Sequence, residues 1–311
     1  FEAQVTYDFF DDRLNVVFGG AYHMQDVDTA NPETGQQTLF LNAQEADQQA
    51  LFGQLKYKLS DKLELIVAGR WDDNDLHDAQ TSPKAGLVWT VNENNILRFT
   101  YNEAFQAPNF AEYYLRSQSA QVVPFALIQQ QLEAATGMDL DGLLGWQNVP
   151  VVAAGNESLE PEEIESFEVG YKGILFGNLF LSVDIYQSTL TNFVTDLLPG
   201  VNSNYAGGFN LPAGTPPALV AAIQGAFASL PGGIGSGIVN LSDAIRPPGG
   251  GLDFLPDGHP VVVFSYTNSG EVDTEGADVA FNYFVNNNWT IDGTYSWFDF
   301  DIVEDDSASS G

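Results

Sequence analysis

Alternation of apolar and polar residues with a period of two recurs along almost the whole chain. Leu181 and Val183, for example, flank Ser182 in one of the clearest runs. This period predicts β-strands with one apolar and one polar face, and about ten such runs are visible. They cover residues 3–9, 14–23, 51–59, 63–72, 84–91, 96–103, 164–172, 178–191, 276–283 and 289–297. The chain is therefore expected to be all-β and built from antiparallel strands.

The connections between these runs come in two lengths. Short turns are expected at 10–13, 60–61, 92–95, 176–178 and 286–288, and longer connections at about 28–47, 73–80, 105–162 and 192–261. This alternation is typical of transmembrane β-barrels, which have short periplasmic turns and long extracellular loops. Strands of about ten residues also suit a tilted membrane crossing. The sequence therefore predicts part of a transmembrane antiparallel up-and-down β-barrel with long extracellular loops.

Aromatic residues near the strand ends have two interpretations. They are either core residues of a soluble sheet or the interfacial girdles of a membrane barrel, where amphipathic rings lie at headgroup level. The asymmetry of the connections favours girdles. The residues concerned are Tyr57, Trp71, Trp89, Tyr101, Tyr171 and Trp289.

The two largest connections contain apolar segments of their own. The spacing after Pro124 predicts a short helix, and Pro216 and Pro217 predict the start of another. Connections of this length are usually functional or disordered. The apolar face of the second helix is predicted to comprise Leu219, Val220, Ile223 and Phe227.

Charge and composition exclude several classes of protein. The chain has 42 acidic and 10 basic residues, a net charge of −32, which disfavours nucleic-acid binding because phosphate contacts need Lys and Arg. It has no cysteine, so disulfides, thiol catalysis and Cys-based zinc sites are excluded. The abundant carboxylates of the large connections also favour a cationic, neutral or metal-chelate ligand over a bare anion.

No catalytic residue, cofactor or metal site is predicted. The acidic segment 72–78 has oxygen ligands for a hard cation but lacks the EF-hand spacing, so it is interpreted as a solvated loop. His23, His77 and His259 lie far apart and form no HExxH pair. No serine lies in a GxSxG segment, so the sequence does not predict an enzyme.

Three blocks together resemble the C-terminal barrel of TonB-dependent outer-membrane receptors. The first, 82–115, is similar to that family's paired strands and Phe-Arg-Ala-Pro corner, with Gln106 in place of the arginine. The matching residues of the corner are Phe105, Ala107 and Pro108.

The other two blocks continue the resemblance in the family's order. The second, 156–173, is similar to an Asn-Pro-x-Leu-x-Pro-Glu lead into a strand ending Glu-x-Gly-x-Lys, with Glu157 where proline is common. The third, 266–281, is similar to an Asn-x-Gly…Gly-x-Glu strand, with Asp278 in place of glutamate. The matching residues are Asn156, Leu159, Pro161, Glu162, Glu168, Gly170 and Lys172 in the second block, and Asn268, Gly270 and Gly276 in the third.

The resemblance implies a barrel of about 22 strands with an N-terminal plug, in the bacterial outer membrane. Residues 1–311 are then expected to supply about ten strands, with the plug, the TonB-binding segment and the final strands outside this piece. The partners implied are the lipid bilayer, the TonB complex and a small-molecule or glycan cargo such as an iron chelate or cobalamin. Most motif residues are expected to hold strands and loops in place, with Gly170 and Gly276 leaving room on the lumen face.

Alternation also predicts which side chains face lipid. The side chains expected to face lipid are Leu97, Phe99 and Tyr101. Those expected to face the lumen are Arg98, Thr100 and Asn102. Pro108 is expected to mark the exit into the first large extracellular loop. Two alternatives stay open at this point: a passive, unplugged porin-like channel, and a soluble, acidic extracellular β-sandwich whose loops hold calcium.

Overall fold

A computed structural model describes residues 1–137, 139–140, 148–205, 208–211 and 213–303 of the chain. Ten strands form one antiparallel sheet. They are β1 (Glu2–Phe9), β2 (Leu14–Val27), β3 (Gln44–Ser60), β4 (Leu63–Asn74), β5 (His77–Asn92), β6 (Asn95–Gln106), β9 (Glu162–Leu175), β10 (Leu179–Thr191), β14 (Glu271–Asn286) and β15 (Trp289–Val303). The remaining strands are β7 (Arg116–Pro124), β8 (Asn148–Ala154), β11 (Leu198–Pro199), β12 (Ile238–Asn240) and β13 (Pro260–Ser265). The helices are α1 (Phe110–Tyr114), α2 (Ala126–Thr136) and α3 (Pro217–Ala228), with 3-10 segments at Ser203–Tyr205 and Pro231–Gly237.

The ten-stranded sheet is an up-and-down meander. Its spatial order follows the chain, except that β9 follows β6 and β14 follows β10, because β7, β8 and β11–β13 belong to the connections between them. The expected up-and-down arrangement of about ten strands is therefore confirmed. Nine of the strands have 12 to 17 residues, more than a membrane crossing requires.

The two faces of the sheet differ as the alternation predicts. Arg98, Glu168 and Asp184 lie on one face, where the guanidinium bonds to both carboxylates. The opposite face carries the apolar series, and its side chains have no protein layer over them: Leu55 is 49% and Ile185 56% exposed. A soluble β-sandwich packs its apolar faces against each other, so that alternative is wrong for this sheet.

The apolar face ends in acidic residues toward the long connections. Tyr101 and Phe167 lie opposite each other with ring centroids 4.8 Å apart, and the next pair on the same face is Glu103 opposite Glu165. On β14 and β15 the corresponding pair is Glu275 opposite Asp299. An apolar band bounded by aromatic rings and then by carboxylates matches a strand that leaves the hydrocarbon layer for water.

The predicted longer connection at 73–80 is wrong. β4 continues to Asn74 and β5 begins at His77, so only Asp75 and Leu76 form the turn, with the Asn74 side chain accepting from the Leu76 N–H at 2.8 Å. The error has a physical reason: outside the apolar band a strand no longer needs alternating polarity, so its polar residues do not mark its end.

The predicted helices are confirmed. α2 begins just after Pro124, and α3 begins at Pro217, where the missing N–H and fixed φ of proline suit the first helical turn. None of the helices among the described residues has the length and apolarity to span a bilayer.

We expect Val183→Arg to hinder insertion of the full-length protein, because Val183 lies on the apolar face near the middle of the apolar stretch of β10. The loss is expected at about 2–4 kcal/mol near the bilayer midplane. The free energy of unfolding in phospholipid vesicles measures it. Ser182→Arg, on the polar face of the same strand, is the matched control and should cost far less; equal losses would contradict the assignment of the two faces.

Candidate functional site

The two largest connections fold together into a single structure, called here the loop unit (residues 107–161 and 192–270). The first joins β6 to β9 and the second joins β10 to β14. Strand β8 of the first connection pairs in parallel with β13 of the second, from Val151 opposite Val262 to Ala154 opposite Ser265. Because their backbones share one sheet, the two connections form a common surface at one end of the barrel wall.

Strand β13 was missed by the sequence analysis, which assigned its first residues to a loop. Its sequence PVVVFS is almost continuously apolar, and Val261, Val262 and Val263 are all buried. A short continuous apolar run is the pattern of a strand covered on both faces, and this signal identifies β13 without any period of two.

The loop unit has its own hydrophobic core. Leu219, Ile223 and Phe227 of α3 are buried, and the Phe227 ring packs edge-on against Phe125 with centroids 5.8 Å apart. Val220, the fourth residue predicted for this face, is partly exposed. A second cluster is built from residues of both connections, including Val152, Ala154, Leu241, Leu252 and Val261. This packing gives a fixed surface because interiors of this kind are close-packed.

The corner at Phe105–Pro108 converts a strand into a helix. β6 ends at Gln106, and Asn109 caps α1 by accepting from the N–H groups of Ala111 and Glu112, while the Glu112 carboxylate accepts from the Asn109 N–H at 2.7 Å. This reciprocal pair is a capping box. Pro108 is buried beside Ala107 at the start of the loop unit, as expected for the exit from the barrel wall.

Asn268 lies where the bases of the two connections meet. Its side-chain N–H donates to the carbonyls of Glu160 at 2.9 Å and Asn192 at 2.7 Å, and its side-chain oxygen accepts from the Glu160 N–H at 2.8 Å. Three backbone groups that would otherwise need water or another partner are thus satisfied by one amide.

Asn156 and Glu162 make the same kind of contact nearby. The Asn156 amide donates to the Tyr266 carbonyl at 2.9 Å, and the Glu162 carboxylate accepts from the Val194 N–H at 2.8 Å. Together with Asn268, these side chains tie the base of the first connection to the base of the second; this set is called the base clasp (Asn156, Glu162 and Asn268). Leu159 is buried next to it, Pro161 directly precedes β9, and Gly270 has a φ of 54°.

Glu168 and Gly170 form a separate group on the polar face of the barrel wall. The Arg98 side chain crosses Gly170 to reach Glu168 and Asp184, so a Cβ at position 170 would lie 2.5 Å from the Asp184 Oδ1 and 3.3 Å from the Arg98 Nε. Lys172 is on the same face, two residues further along β9.

Gly276 has a comparable role on β14. A Cβ there would lie 2.4 Å from the Tyr186 ring, which covers the glycine. Both motif glycines therefore leave room for a large side chain of a neighbouring strand. The contacts of both glycines are with residues of the barrel strands, and neither glycine touches a base clasp residue.

Arg116, in the first connection of the loop unit, lies against an aromatic ring of the second connection. The Arg116 guanidinium lies 5.0 Å from the centroid of the Tyr205 ring, a cation–π contact. Burial raises the pKa of Tyr205, and the nearby Arg116 charge partly opposes that shift. Burial also raises the pKa of Tyr113 to about 12. These phenols therefore stay protonated at physiological pH.

The acidic segment 72–78 lies in the β4–β5 hairpin, and its carboxylates are used separately. Asp72 is 1% exposed and accepts two-pronged hydrogen bonds from Arg70, while Asp73 accepts from Gln49 at 2.9 Å. Within the described part of the chain, no group of three or more His, Cys, Asp or Glu side chains is arranged to hold a metal ion.

A family model described as "TonB dependent receptor-like, beta-barrel" matches residues 1–311, the whole chain. The chain belongs to this family. The apolar face of the ten-stranded sheet therefore faces lipid, and the polar face lines the lumen. Members of the family are outer-membrane β-barrel transporters and not enzymes.

Solved receptors of the family have the same fold. The siderophore receptor PirA from Pseudomonas aeruginosa is 10% identical to this chain and superposes with a TM-score of 0.59. The matched region covers 97% of this chain and 42% of the PirA chain. PirA from Acinetobacter baumannii is 11% identical with a TM-score of 0.56, over 95% of this chain and 35% of its own. The R480A mutant of the ferric enterobactin receptor PfeA from Pseudomonas aeruginosa, in complex with enterobactin, is 15% identical with a TM-score of 0.58. The matched region covers 95% of this chain and 35% of the PfeA chain.

The chain thus spans about two fifths or less of the length of these receptors. At such low identity the likeness supports the fold alone. A search of curated proteins finds no match.

Asn268→Ala is expected to loosen the loop unit without unfolding the barrel wall, because it leaves three backbone groups without their partner. Unsatisfied groups of this kind cost about 1–3 kcal/mol. Hydrogen exchange of β8 and β13 in the full-length receptor should become faster, while exchange of β9 and β10 stays the same. Asn287→Ala, in the turn between β14 and β15, is the control; equal exchange in the two variants would contradict the role of the base clasp.

Gly170→Ala is expected to destabilise the receptor by about 1 kcal/mol, because the added methyl displaces the partly exposed Arg98–Asp184 ion pair. Gly69→Ala is the matched control, since a Cβ at position 69 meets nothing within 4 Å. Its effect should stay within about 0.5 kcal/mol. Unfolding of both variants by denaturant in detergent measures the difference, and similar midpoints would contradict this reading of Gly170.

Proposed function

We propose that this chain is part of the barrel of an outer-membrane receptor that takes up an iron chelate with energy from the TonB complex. Membership of the family supports a receptor, and the similar solved structures named above are siderophore or ferric enterobactin receptors. In this proposal the plug, the TonB-binding segment and the remaining strands lie outside these 311 residues.

The observation that carries the proposal is the loop unit. It is a packed structure with its own core, fastened at its base by Asn156, Glu162 and Asn268. Recognition residues are often carried by loops that a rigid scaffold positions, and here the scaffold is the barrel wall. A pore for passive diffusion does not require two long connections that fold together into one packed surface.

The motif residues fit this proposal as supports of the recognition surface. The base clasp joins backbone to backbone, and Gly170 and Gly276 make room for side chains of neighbouring strands. None of these contacts needs a ligand. Cargo contacts are instead assigned to the outer part of the loop unit and to the lumen face below it.

The electrostatic character of the loop unit narrows the class of cargo. Its described carboxylates include Glu112, Glu157, Asp196, Asp253 and Asp257, while its two basic residues are Arg116 and Arg246. A highly negative chelate would meet repulsion across this surface, so a neutral or positively charged chelate is the better match.

Uptake by cells provides the test. The full-length receptor, expressed in iron-limited cells that lack their own iron-chelate receptors, should import radioactive iron from hydroxamate chelates, and loss of TonB should reduce this import to background. Iron import that continues without TonB would favour the porin-like channel. No import from any iron chelate, with the receptor present at the cell surface, would refute the proposed function.

A further inference from the structure

A groove crosses the lipid face of the barrel wall, which is the apolar face of the ten-stranded sheet. Its volume is about 450 Å³, and it forms where the small Ala277 side chain lies between Ile185 and Trp297 in the cross-strand register. The other apolar side chains that line it are Phe99, Phe167 and Val169. The groove is continuous with the face that contacts the bilayer, so hydrocarbon chains reach it directly.

Polar side chains continue the groove toward the loop unit. On the same face of β10, Ile185 is followed by Gln187, Thr189 and Thr191, called here the neutral stripe. In the register, carboxylates of both neighbouring strands flank this stripe. They are Glu163 and Glu165 on β9, and Glu271, Asp273 and Glu275 on β14. The Thr189 hydroxyl donates to the Asp273 carboxylate at 2.6 Å, so neighbouring members of the two rows contact each other.

The first of these carboxylates lie at the height of the lipid headgroups. Phe167 belongs to the aromatic boundary of the apolar band, and Glu165 is two residues further along the same face. Two residues of a strand span about 7 Å. The headgroup layer extends about 5–8 Å beyond the hydrocarbon core on each side of a bilayer. The neutral stripe and its carboxylates therefore meet headgroups of the outer leaflet, since the long connections are on the extracellular side.

In the described strands, no lysine or arginine lies on the lipid face. The basic residues of the strands all lie on the lumen face and are Lys56, Lys58, Arg70, Lys84, Arg98 and Lys172. The other four are in short turns or in the loop unit, and are Arg13, Lys62, Arg116 and Arg246. None of the ion pairs in the described part of the chain involves a carboxylate of the lipid face.

This charge pattern selects among lipid headgroups. Like charges directly opposite each other destabilise a sheet, as where Glu275 lies opposite Asp299. A positively charged headgroup offsets this repulsion, whereas an anionic headgroup adds to it. Sites for anionic lipids are instead lined by lysine and arginine. The headgroup that matches this face therefore presents a positive charge and has no net negative charge.

We infer that the groove and the neutral stripe bind one lipid of the outer leaflet, whose headgroup ends in a protonated amine and has no net negative charge. One acyl chain lies in the groove against Ala277. The amine lies beside Gln187, between the carboxylates of Glu165 and Glu275. This inference adds a lipid partner to the barrel wall and does not depend on the identity of the cargo.

Native mass spectrometry of the purified full-length receptor, in detergent with EDTA, tests the inference. The probes are phosphatidylethanolamine, phosphatidylcholine and phosphatidylglycerol with identical acyl chains, offered in equal amounts. The first two have the same net charge, but only phosphatidylethanolamine has N–H donors, and phosphatidylglycerol is negative. Phosphatidylethanolamine should be retained about 3-fold better than either of the others, the effect of an exposed ion pair.

A change of charge tests the headgroup contact. The double variant Glu165→Gln with Glu275→Gln keeps the size of both side chains and should remove most of the preference for phosphatidylethanolamine. Glu45→Gln is the control, because Glu45 lies on the lipid face of β3, away from the groove. Its preference should match that of the unmodified receptor, and an equal loss in this control would overturn the inference.

A change of volume tests the acyl contact. Ala277→Phe fills the groove and should abolish the preferential retention of phosphatidylethanolamine. Val279→Phe is the matched control, since Val279 lies two residues nearer the middle of β14, on the same face and outside the groove lining. Both side chains face lipid, so neither substitution overpacks the interior of the barrel. Equal effects of the two variants would contradict the acyl site.

The lipid preferences of the unmodified receptor also decide the inference. Equal retention of the three probes, or a preference for phosphatidylglycerol, would overturn it. So would a preference for phosphatidylglycerol that appears when Mg²⁺ replaces EDTA, because the carboxylates would then hold anionic lipid through a metal ion. These results leave TonB-dependent iron uptake unaffected, and a failure of iron uptake leaves the lipid inference standing.

Discussion

Every backbone N–H and C=O in the hydrocarbon layer needs a partner within the protein, because lipid offers none. In this chain the strands between β1 and β15 meet that need by pairing with a neighbouring strand on each side over most of their length. The side chains can then follow the period of two without regard to the backbone, apolar toward lipid and polar toward the lumen. The rest of the architecture is attached to this wall, whose strands continue beyond the apolar band and carry the loop unit at their ends.

Charge is distributed according to the same constraint. On the lipid side, carboxylates begin only beyond the ring pair Tyr101 and Phe167, where Glu103 and Glu165 stand opposite each other. On the lumen side, opposite charges are paired locally, as where Arg98 lies between Glu168 and Asp184. The excess of acidic residues is therefore located where water is available, and the loop side of the protein carries a negative surface, which repels anions.

Much of the barrel wall was predictable from the sequence because burial in lipid imposes one simple pattern on every strand. The turn at Asp75 and Leu76 was not predictable, because strand residues beyond the apolar band are not required to alternate between apolar and polar. The pairing of β8 with β13 was also beyond reach, because it joins residues about 110 positions apart and no local signal states which segments meet. For Gly170 and Gly276 the need for space was predictable, but the side chains that fill it, Arg98 and Tyr186, come from neighbouring strands.

The parallel pairing of β8 with β13 has a mechanical consequence. A displacement of either large connection away from the pore axis must carry the other with it or break a buried strand pair, so the two move as one rigid body. The strand ends that connect this body to the barrel wall are Gln106, Glu162, Thr191 and Glu271. The surface on this side of the barrel is therefore one structural unit where the sequence shows two separate connections.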